Sequence, residues 1–327
     1  MKDLIKQIFS ISNHRQFEET CLKVFRHQAS NCSIYKEYIS HLRVKPEEIS
    51  NSAQIPYLPI SFFKTHEILS STLPVEITFS SSGTTGMIQS KHLVTDLSIY
   101  DQSFTLAFEQ FYGKIENTCF LALLPSYLER DGSSLIYMVD SLIRESKHQD
   151  SGYFLHNHEE LYQKLDQLKA AGQKTILIGV TYALLDFIEK YQIDFPQLVV
   201  METGGMKGKR KEMVREELHQ LLQDGFGITD IHSEYGMTEL LSQAYSKGKG
   251  IFDCPPWMKI YLRDTNDPLT LLSNNRSGGI NVIDLANVNS CSFIATQDLG
   301  RLFPDGSFEV LGRFDNADIR GCNLLVQ

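Results

Sequence analysis

"FSSSGTTGMIQSKH", residues 79–92, separates a strand-like run, LPVEIT, from a run that begins apolar and continues as a helix, LVTDLSIYDQSFTLAFEQFYG. Residues 80–86 combine three serines, two threonines and two glycines. Glycine permits backbone angles that let successive N–H groups point into one concavity, and the hydroxyl groups add further donors. The segment therefore fits a loop that binds phosphate, and a flexible polar surface loop fits the same residues equally well.

This candidate phosphate loop is not a Walker loop, because no Gly-Lys-Ser/Thr follows at the required spacing. Lys91 would add a positive charge close to it. The candidate binding residues in the loop are Ser80, Ser81, Ser82, Gly83, Thr84, Thr85 and Gly86.

From residue 75 onward, short apolar runs alternate with amphipathic helical patterns. The strand candidates include CFLALLP, KTILIGV, QLVVMETGG and ITDIHSEYG, and the helix candidates include SSLIYMVDSLIRES, HEELYQKLDQLKAAG, TYALLDFIEKYQ and KRKEMVREELHQLLQDGFG. This alternation predicts an α/β fold with a mostly parallel, helix-flanked sheet. Ligands bind at the carboxyl ends of the strands in such sheets. We therefore expect binding residues in the loops that follow the strand candidates, including METGGMKG with Gly204 and Gly205.

The two ends of the chain show different patterns. Residues 1–75 are predicted to form a helical part, interrupted by the extended, proline-containing segment IPYLPISFFK. Residues 246–327 show short strands joined by turns, which is typical of a small β-rich subdomain. The sequence thus predicts one large domain, in which an α/β core at residues 76–245, with the candidate phosphate loop, follows the helical part and precedes the β-rich subdomain.

The composition narrows the class of protein. The 327 residues are 42% hydrophobic and 22% charged, as in ordinary globular proteins. The net charge is −9 and the sequence has no basic stripe, so a nucleic-acid binder is disfavoured. Six cysteines without Cys-x-x-Cys spacing argue against a zinc site or a disulfide framework and favour reduced thiols in a cytoplasm. No apolar run has the length of a membrane span, and the N-terminus is too polar for a signal peptide.

Three further segments offer groups that suit a nucleotide. YGMTE supplies the aromatic ring of Tyr235, the hydroxyl of Thr238 and the carboxylate of Glu239. A carboxylate is the ligand type that Mg²⁺ prefers together with substrate phosphates. TQDLGR supplies Asp298, whose two oxygens can accept hydrogen bonds from a ribose diol, and GRFDNADIRG supplies Arg313 for ribose or phosphate.

These segments, in this order, resemble the core motifs of the adenylate-forming superfamily, which includes acyl-CoA synthetases, firefly-type luciferases and adenylation domains of peptide synthetases. SSGTTG resembles the phosphate loop, and YGMTE resembles the block that contacts adenine, phosphate and magnesium. TQDLGR resembles the ribose-binding block, with Gln297 in place of a glycine, and GRFDNADIRG resembles the hinge block. The matches span residues 81–321.

The resemblance implies the large N-terminal domain of these enzymes, with ATP or AMP and Mg²⁺ as cofactors. It implies catalytic roles for Thr238 and Glu239, with Glu239 as the metal residue and Lys91 as a source of positive charge. Besides the phosphate loop, it implies nucleotide contacts from Gly204, Gly205, Tyr235, Gly236, Met237, Thr238, Asp298 and Arg313.

Two other segments, IPYLPISFFK and LPSYLERDGSSLIYMV, resemble segments of the LuxE-like acyl-protein synthetases. The resemblance to this family covers nearly the whole chain. That family is named for the subunit of the luminescence fatty-acid reductase that activates a fatty acid as acyl-AMP. The resemblance implies a carboxylic acid, in particular a fatty acid, as substrate. It implies a thiol on a protein, a carrier or CoA as acceptor, and a partner acyltransferase or reductase.

Two features depart from the superfamily pattern. Most members carry a small mobile domain after the hinge block, with a lysine that assists adenylation, whereas this sequence reaches Gln327 directly after that block. Asp318 stands where a lysine is usual. We therefore expect slow adenylation by this chain alone, unless a partner protein or one of three lysines supplies the charge: Lys91, Lys207 or Lys209.

Cys322 is the candidate acyl acceptor, because the luminescence family passes its acyl group through a cysteine thioester. A small apolar residue that fills a gap is the more frequent role of a free cysteine. Glu129 and Arg130 either lie near the substrate carboxylate or brace their loop as an ion pair. His156–His158 fit a surface loop at a helix start better than a metal pair, and two aromatic residues are predicted to be packing residues: Tyr245 and Trp257.

Two other functions fit the same residues. An ordinary phosphoryl-transfer enzyme would release ADP instead of AMP and pyrophosphate. A catalytically weak protein would bind nucleotide or a partner and activate no acid. Glu239, Asp298 and Arg313 favour the adenylate-forming function over the second of these alternatives.

Overall fold

The computed structural model describes residues 1–81, 88–124, 132–204, 210 and 213–313. Contacts between residues divide the chain into two compact units. The first unit consists of Met1–Ser71 and Pro256–Gln327, and the second unit consists of Thr72–Pro255. The helical N-terminal part and the C-terminal strands, which have separate patterns in the sequence, therefore belong to the same unit.

The helices and strands agree closely with the periodicity of the sequence. In chain order, the α-helices are α1 (Lys2–Phe9), α2 (His14–Asn31), α3 (Ser33–His41), α4 (Phe62–Thr65), α5 (Leu97–Tyr112), α6 (Ser134–Ser146), α7 (His158–Ala170), α8 (Thr181–Ile188) and α9 (Arg215–Phe226). The strands are β1 (Leu58–Pro59), β2 (Ile77–Ser80), β3 (Lys91–Val94), β4 (Cys119–Leu123), β5 (Gly152–Tyr153), β6 (Thr175–Val180), β7 (Val199–Thr203), β8 (His232–Tyr235), β9 (Ala244–Ser246), β10 (Ile251–Asp253), β11 (Met258–Arg263), β12 (Ser277–Asp284), β13 (Phe293–Leu302) and β14 (Phe308–Arg313).

The first unit combines helices α1 to α4 with strands β11, β12, β13 and β14, in which neighbours pair antiparallel. Strand β1 pairs parallel with β13. Helix α2 begins after Asn13, whose side chain accepts from the N–H group of Gln16. Buried Gln28 of α2 donates to the carbonyl of Asn287 at 2.9 Å and accepts from the N–H group of Ser292 at 2.9 Å. These buried hydrogen bonds join the N-terminal helices to the C-terminal strands.

The second unit contains a sheet with the strand order β10-β9-β8-β7-β6-β4-β5. The pairs from β5 through β4, β6 and β7 to β8 are parallel, and β8, β9 and β10 pair antiparallel. Helix α6 packs against β4, and helix α8 packs against β6 and β7. Strands β4 and β6 are buried along their whole length, as expected for parallel strands covered on both faces. The mostly parallel α/β fold predicted from the sequence is thus confirmed.

Strands β2 and β3 form a separate two-stranded antiparallel sheet in the second unit. The candidate phosphate loop connects these two strands, whereas the sequence pattern placed it after a strand of the parallel sheet. Strand β3 has only four residues, Lys91–Val94, which alternate in burial before helix α5 begins. Within the described part of the chain, no helix is both long and apolar enough to cross a membrane.

Candidate active site

The base of the candidate phosphate loop is held by backbone hydrogen bonds. The N–H group of Ser80 donates to the carbonyl of Gly132 at 2.8 Å, and the N–H group of Ser81 donates to the carbonyl of Ser90 at 3.1 Å. The N–H group of Ser90 donates to Oγ of Ser81 at 2.9 Å. The N–H groups of Ser80 and Ser81 therefore close the loop and are engaged within the protein.

The tip of this loop carries the other predicted phosphate contacts. Ser82, Gly83, Thr84, Thr85 and Gly86 lie outside the described residues. Lys91 is exposed at the start of β3 and pairs with Ser80 across the hairpin, so its backbone lies at the base of the loop.

Two of the predicted loops leave the same edge of the parallel sheet. Strands β7 and β8 are parallel neighbours, with Glu202 opposite Ser233. Their carboxyl ends therefore lead side by side into the loops that begin at Gly204 and Gly236. Gly204 has a φ of 55°, in the left-handed region that favours glycine. Gly205, the next predicted contact, lies outside the described residues.

The segment YGMTE combines a buried ring with a tight turn. Tyr235 is only 8% exposed, and its ring packs edge-on against Phe252 with the ring centroids 5.9 Å apart. Met237 and Leu240 close the turn, because the N–H group of Leu240 donates to the carbonyl of Met237 at 3.0 Å. Glu239 lies within this turn and is 6% exposed.

Glu239 is the candidate metal residue, and its surroundings define what it can hold. In the part of the chain that the structure describes, no group of three or more His, Cys, Asp or Glu side chains could form a metal site from protein ligands alone. Mg²⁺ is commonly held by one or two carboxylates together with substrate phosphates. A single carboxylate in a turn fits the protein's share of that ligand set.

His92 is a site residue that sequence reasoning missed. Its ring is 1% exposed, and Nδ1 lies 2.9 Å from the backbone carbonyl oxygen of Thr238. Burial lowers the pKa of His92 to about 4, so the imidazole is neutral at physiological pH. A hydrogen bond between residues so distant in the chain leaves no local trace in the sequence.

Two carboxyl groups at the ends of β7 and β8 were also missed. Glu202 accepts a hydrogen bond from Oγ1 of Thr181 at 3.0 Å, and Arg215 and His219 each lie 3.9 Å from its other oxygen. Burial disfavours the charged form of Glu202, but His219, Ser233 and Arg215 favour it, and the pKa of this carboxyl is lowered. Glu202 is therefore ionised.

Glu234, the second of these carboxyl groups, behaves in the opposite way. It accepts a hydrogen bond from Oγ1 of Thr203 at 3.3 Å. Burial, with a further contribution from the negative charge of Glu202, raises the pKa of Glu234 to about 7. Each glutamate directly precedes a predicted loop in the sequence, as METGG and SEYG show, and that position was the only available signal.

Asp298 and Arg313, the predicted ribose contacts, are neighbours in the first unit. They are directly opposite each other on β13 and β14, and Nε of Arg313 lies 3.9 Å from Oδ1 of Asp298. The side chain of Asp298 is 17% exposed and that of Arg313 is 67% exposed. The N–H group of Asp298 donates to Oγ1 of Thr296 at 3.1 Å, which fixes the backbone beneath the carboxylate.

The remaining candidates divide into packing residues and residues outside the described parts. Tyr245 is 1% exposed, and Trp257 is 3% exposed and packs edge-on against Phe9, so their predicted packing roles are confirmed. His158 is the first residue of α7, as expected for a helix start. The residues outside the described parts are Glu129, Arg130, Lys207, Lys209 and Cys322.

The chain shares its fold with several solved proteins that hold ATP or an AMP conjugate. The structure resembles an open conformation of 2-hydroxyisobutyryl-CoA ligase in complex with 2-HIB-AMP and CoA, with a TM-score of 0.68 and 11% identity over 94% of this chain and 72% of that chain. It resembles ATP-bound MatB from Rhodopseudomonas palustris, with a TM-score of 0.55 and 18% identity over 73% of this chain and 48% of that chain. It also resembles the MenE O-succinylbenzoate coenzyme A synthetase from Bacillus subtilis in complex with ATP and magnesium. The TM-score is 0.52, with 18% identity over 74% of this chain and 51% of that chain.

The chain spans about half the length of MatB and MenE, and at these identities the likeness shows the fold. The family is shown by the sequence itself. The family model for acyl-protein synthetase, LuxE, matches residues 7–327, and the chain belongs to this family. Comparison with curated protein sequences gives no match.

Proposed function

We propose that this chain activates a carboxylic acid as acyl-AMP, with release of pyrophosphate, and then passes the acyl group to a thiol. The observation that carries the proposal is the match to the acyl-protein synthetase family from residue 7 to residue 327, which includes every predicted motif. Within the second unit, the loops at Gly204 and Gly236 leave adjacent strand ends, which is where α/β sheets bind ligands. A fatty acid is the proposed substrate class.

In the first step, a carboxylate oxygen of the acid attacks the α-phosphorus of ATP. The bond from that phosphorus to the bridging oxygen breaks, and pyrophosphate leaves with the electron pair. In the second step, a thiolate sulfur attacks the acyl carbon, and AMP leaves. Such transfers depend mainly on the orientation of the reactants and on preorganised stabilisation of charge, which are the contributions that positioned loops can make.

The second unit supplies the proposed contacts to the phosphates. The loop from Ser80 to Gly86 binds the departing pyrophosphate, and Thr238 donates to the phosphate that stays with AMP. Glu239 would hold Mg²⁺, which neutralises charge on the phosphate oxygens when it is bound. The turn that carries Thr238 and Glu239 is closed by its own backbone hydrogen bond, so these two side chains are presented together.

Asp298 and Arg313 supply the proposed contacts to the ribose. The Asp298 carboxylate, on the buried side of its ion pair with Arg313, accepts hydrogen bonds from the ribose hydroxyl groups. Arg313 is largely exposed and can turn toward a ribose or phosphate oxygen without breaking a buried contact.

Cys322 is the proposed acyl acceptor, and a carrier thiol or CoA is the alternative acceptor. A partner acyltransferase or reductase would supply or consume the acyl group. The buried cysteines suit this role poorly, since burial raises the pKa of the Cys119 thiol to about 11 and disfavours the thiolate. The cytoplasm is the proposed location, because Cys21, Cys32, Cys119 and Cys291 are thiols and not disulfides.

Acid-dependent exchange of pyrophosphate into ATP tests this function. The purified chain is incubated with ATP, Mg²⁺, labelled pyrophosphate and each of a panel of acids of increasing chain length, with and without candidate partner proteins. We expect exchange that requires an acid, and AMP and pyrophosphate as the products when a thiol acceptor is present. ADP and phosphate as products would show a phosphoryl-transfer enzyme instead. Nucleotide binding without exchange for any acid would favour the protein that only binds.

A further inference from the structure

The hairpin of β2 and β3 and the YGMTE turn are connected through one buried side chain. His92 lies opposite Phe79 in this hairpin, and both residues are almost completely buried. The ring of His92 reaches the backbone of Thr238, with Nδ1 2.9 Å from the carbonyl oxygen. The two residues are 146 positions apart, so this is a long-range tie within the second unit.

The chemistry of the two groups fixes the direction of this hydrogen bond. A backbone carbonyl only accepts, so Nδ1 of His92 carries the hydrogen and donates. Because burial lowers the pKa of His92 to about 4, the ring is neutral, and this tautomer places the hydrogen on Nδ1. A neutral donor with a rigid ring has few alternative orientations in a buried site.

The elements on both sides of this bond are themselves braced. On the hairpin side, Ser81 and Ser90 close the base of the phosphate loop with two hydrogen bonds. On the other side, the bond from Leu240 to Met237 closes the turn that contains Thr238 and Glu239. A hydrogen bond between two braced elements fixes the position of one element relative to the other, whereas a hydrogen bond to an unbraced loop would not.

We propose that His92 is a positioning residue that holds Thr238 and Glu239 in register with the hairpin of β2 and β3 through its hydrogen bond to the Thr238 carbonyl. The inference rests on the proposed function, since these are the groups assigned to the phosphates and to Mg²⁺. His92 itself touches no reacting atom in this account. Its contribution is to set the position of the turn before the nucleotide binds.

Two substitutions separate this role from simple packing. His92→Asn keeps an N–H donor at nearly the distance of Nδ1 from the backbone, whereas His92→Gln moves the donor outward to the distance of Nε2. We expect His92→Gln to lower the rate of acid-dependent pyrophosphate exchange about tenfold to a hundredfold, as small misplacements in active sites do. We expect His92→Asn to recover most of that loss. The KM for ATP and kcat are measured separately, together with the melting temperature of each variant.

A second measurement does not depend on the proposed function. Amide hydrogen exchange of the nucleotide-free protein, read on a peptide that covers residues 236–243, reports the protection of the Leu240 amide. We expect faster amide exchange in His92→Gln than in the wild type and near wild-type protection in His92→Asn. Should His92→Gln not fold, His92→Ala takes its place against the same His92→Asn variant.

The outcomes distinguish the inference from the function on which it rests. A lower melting temperature with unchanged KM, kcat and amide protection would make His92 a packing residue and overturn the inference. If the wild-type chain showed no pyrophosphate exchange with any acid, the proposed function would fail. The hydrogen-exchange experiment would then still decide whether His92 positions the turn. Unchanged protection of the Leu240 amide in His92→Gln would contradict a positioning role for the hydrogen bond from His92 to Thr238.

Discussion

The carboxylate of Glu234 occupies the space beside Gly236 where any other residue would place its β-carbon. The glutamate side chain folds back over the glycine and accepts a hydrogen bond from Oγ1 of Thr203 at 3.3 Å. A side chain at position 236 would therefore require the end of the Glu234 side chain to shift, and the backbone of the YGMTE segment passes close to a carboxyl group that was not predicted from the sequence.

Gly236→Ala is expected to destabilise the protein by about 1 kcal/mol, the low end of the usual cost of overpacking, because the end of the Glu234 side chain can shift, and to weaken nucleotide binding. Glu234→Ala in the same chain should remove most of the added cost, because it removes the atom with which the new methyl group collides. Chemical unfolding of the wild type, both single variants and the double variant gives the coupling between the two positions. Strictly additive effects of the two substitutions would contradict the contact.

The raised pKa of Glu234 predicts a pH dependence of stability. Its carboxyl binds a proton more tightly in the folded state, with a pKa of about 7, than at the ordinary value of 4.5. The stabilisation that comes from this proton binding is therefore complete at pH values below 4.5 and is lost as the pH rises through about 7. The lowered pKa of Glu202 makes the contribution of that carboxyl to stability increase with pH. The effect of Glu234 is therefore measured as a difference between variants.

Glu234→Gln provides that difference, because the amide does not titrate. Between about pH 5 and about pH 8, the free energy of unfolding of the wild type should fall relative to that of Glu234→Gln, by at most about 1.4 kcal/mol per pH unit. Urea unfolding at several pH values measures both proteins. Parallel curves for the two proteins would show that Glu234 keeps its ordinary pKa.

Asp298→Ala is expected to weaken binding of ATP or AMP, because each charge-assisted hydrogen bond to a ribose hydroxyl is worth about 1.5–3 kcal/mol. The ion pair with Arg313 adds little to stability, since the arginine is 67% exposed. Calorimetry with Asp305→Asn as control makes the comparison, because Asp305 belongs to the same unit and only accepts from Ser307 in a turn. Equal nucleotide affinity in the wild type and Asp298→Ala would exclude the ribose contact.

Glu239→Gln is expected to keep nucleotide affinity within a modest factor and to lower pyrophosphate exchange strongly, most of all at limiting Mg²⁺. The amide keeps the shape of the buried side chain and removes the charge that the cation requires. Glu216→Gln, an exposed position in α9, is the matched control. Wild-type exchange in Glu239→Gln at limiting Mg²⁺ would assign the metal to another residue.

Cys322→Ser is expected to prevent covalent labelling of the chain by ATP and a labelled acid. In the wild type, neutral hydroxylamine should release the label, as it does from a thioester. Cys254→Ser is the control, because Cys254 is the only described cysteine that is not buried. Undiminished label in Cys322→Ser would contradict the acceptor role, and label that appears only on an added thiol carrier would show transfer to that carrier.

Much of the fold can be predicted from the sequence because local periodicity reports burial. The spacing of Phe17, Cys21, Val24 and Phe25 predicts the buried face of α2, and these residues are buried. The alternation of apolar runs and amphipathic helices predicts a mostly parallel sheet, with the segments at Gly204 and Gly236 after strands. The structure adds that these two strands are neighbours. Tyr235, Thr238 and Glu239 can be found because they lie together in the segment YGMTE at the end of a strand.

The tertiary structure alone decided which distant segments pair. A hydrophobic pattern shows that a face is buried and does not identify the surface that covers it, so the sequence could not unite residues 1–71 with residues 256–327. For the same reason, the sequence could not predict that β2 and β3 form a separate hairpin or that the Glu234 side chain approaches Gly236. The bond from His92 to Thr238 joins residues 146 positions apart, and only the folded chain brings a buried imidazole to that one backbone carbonyl.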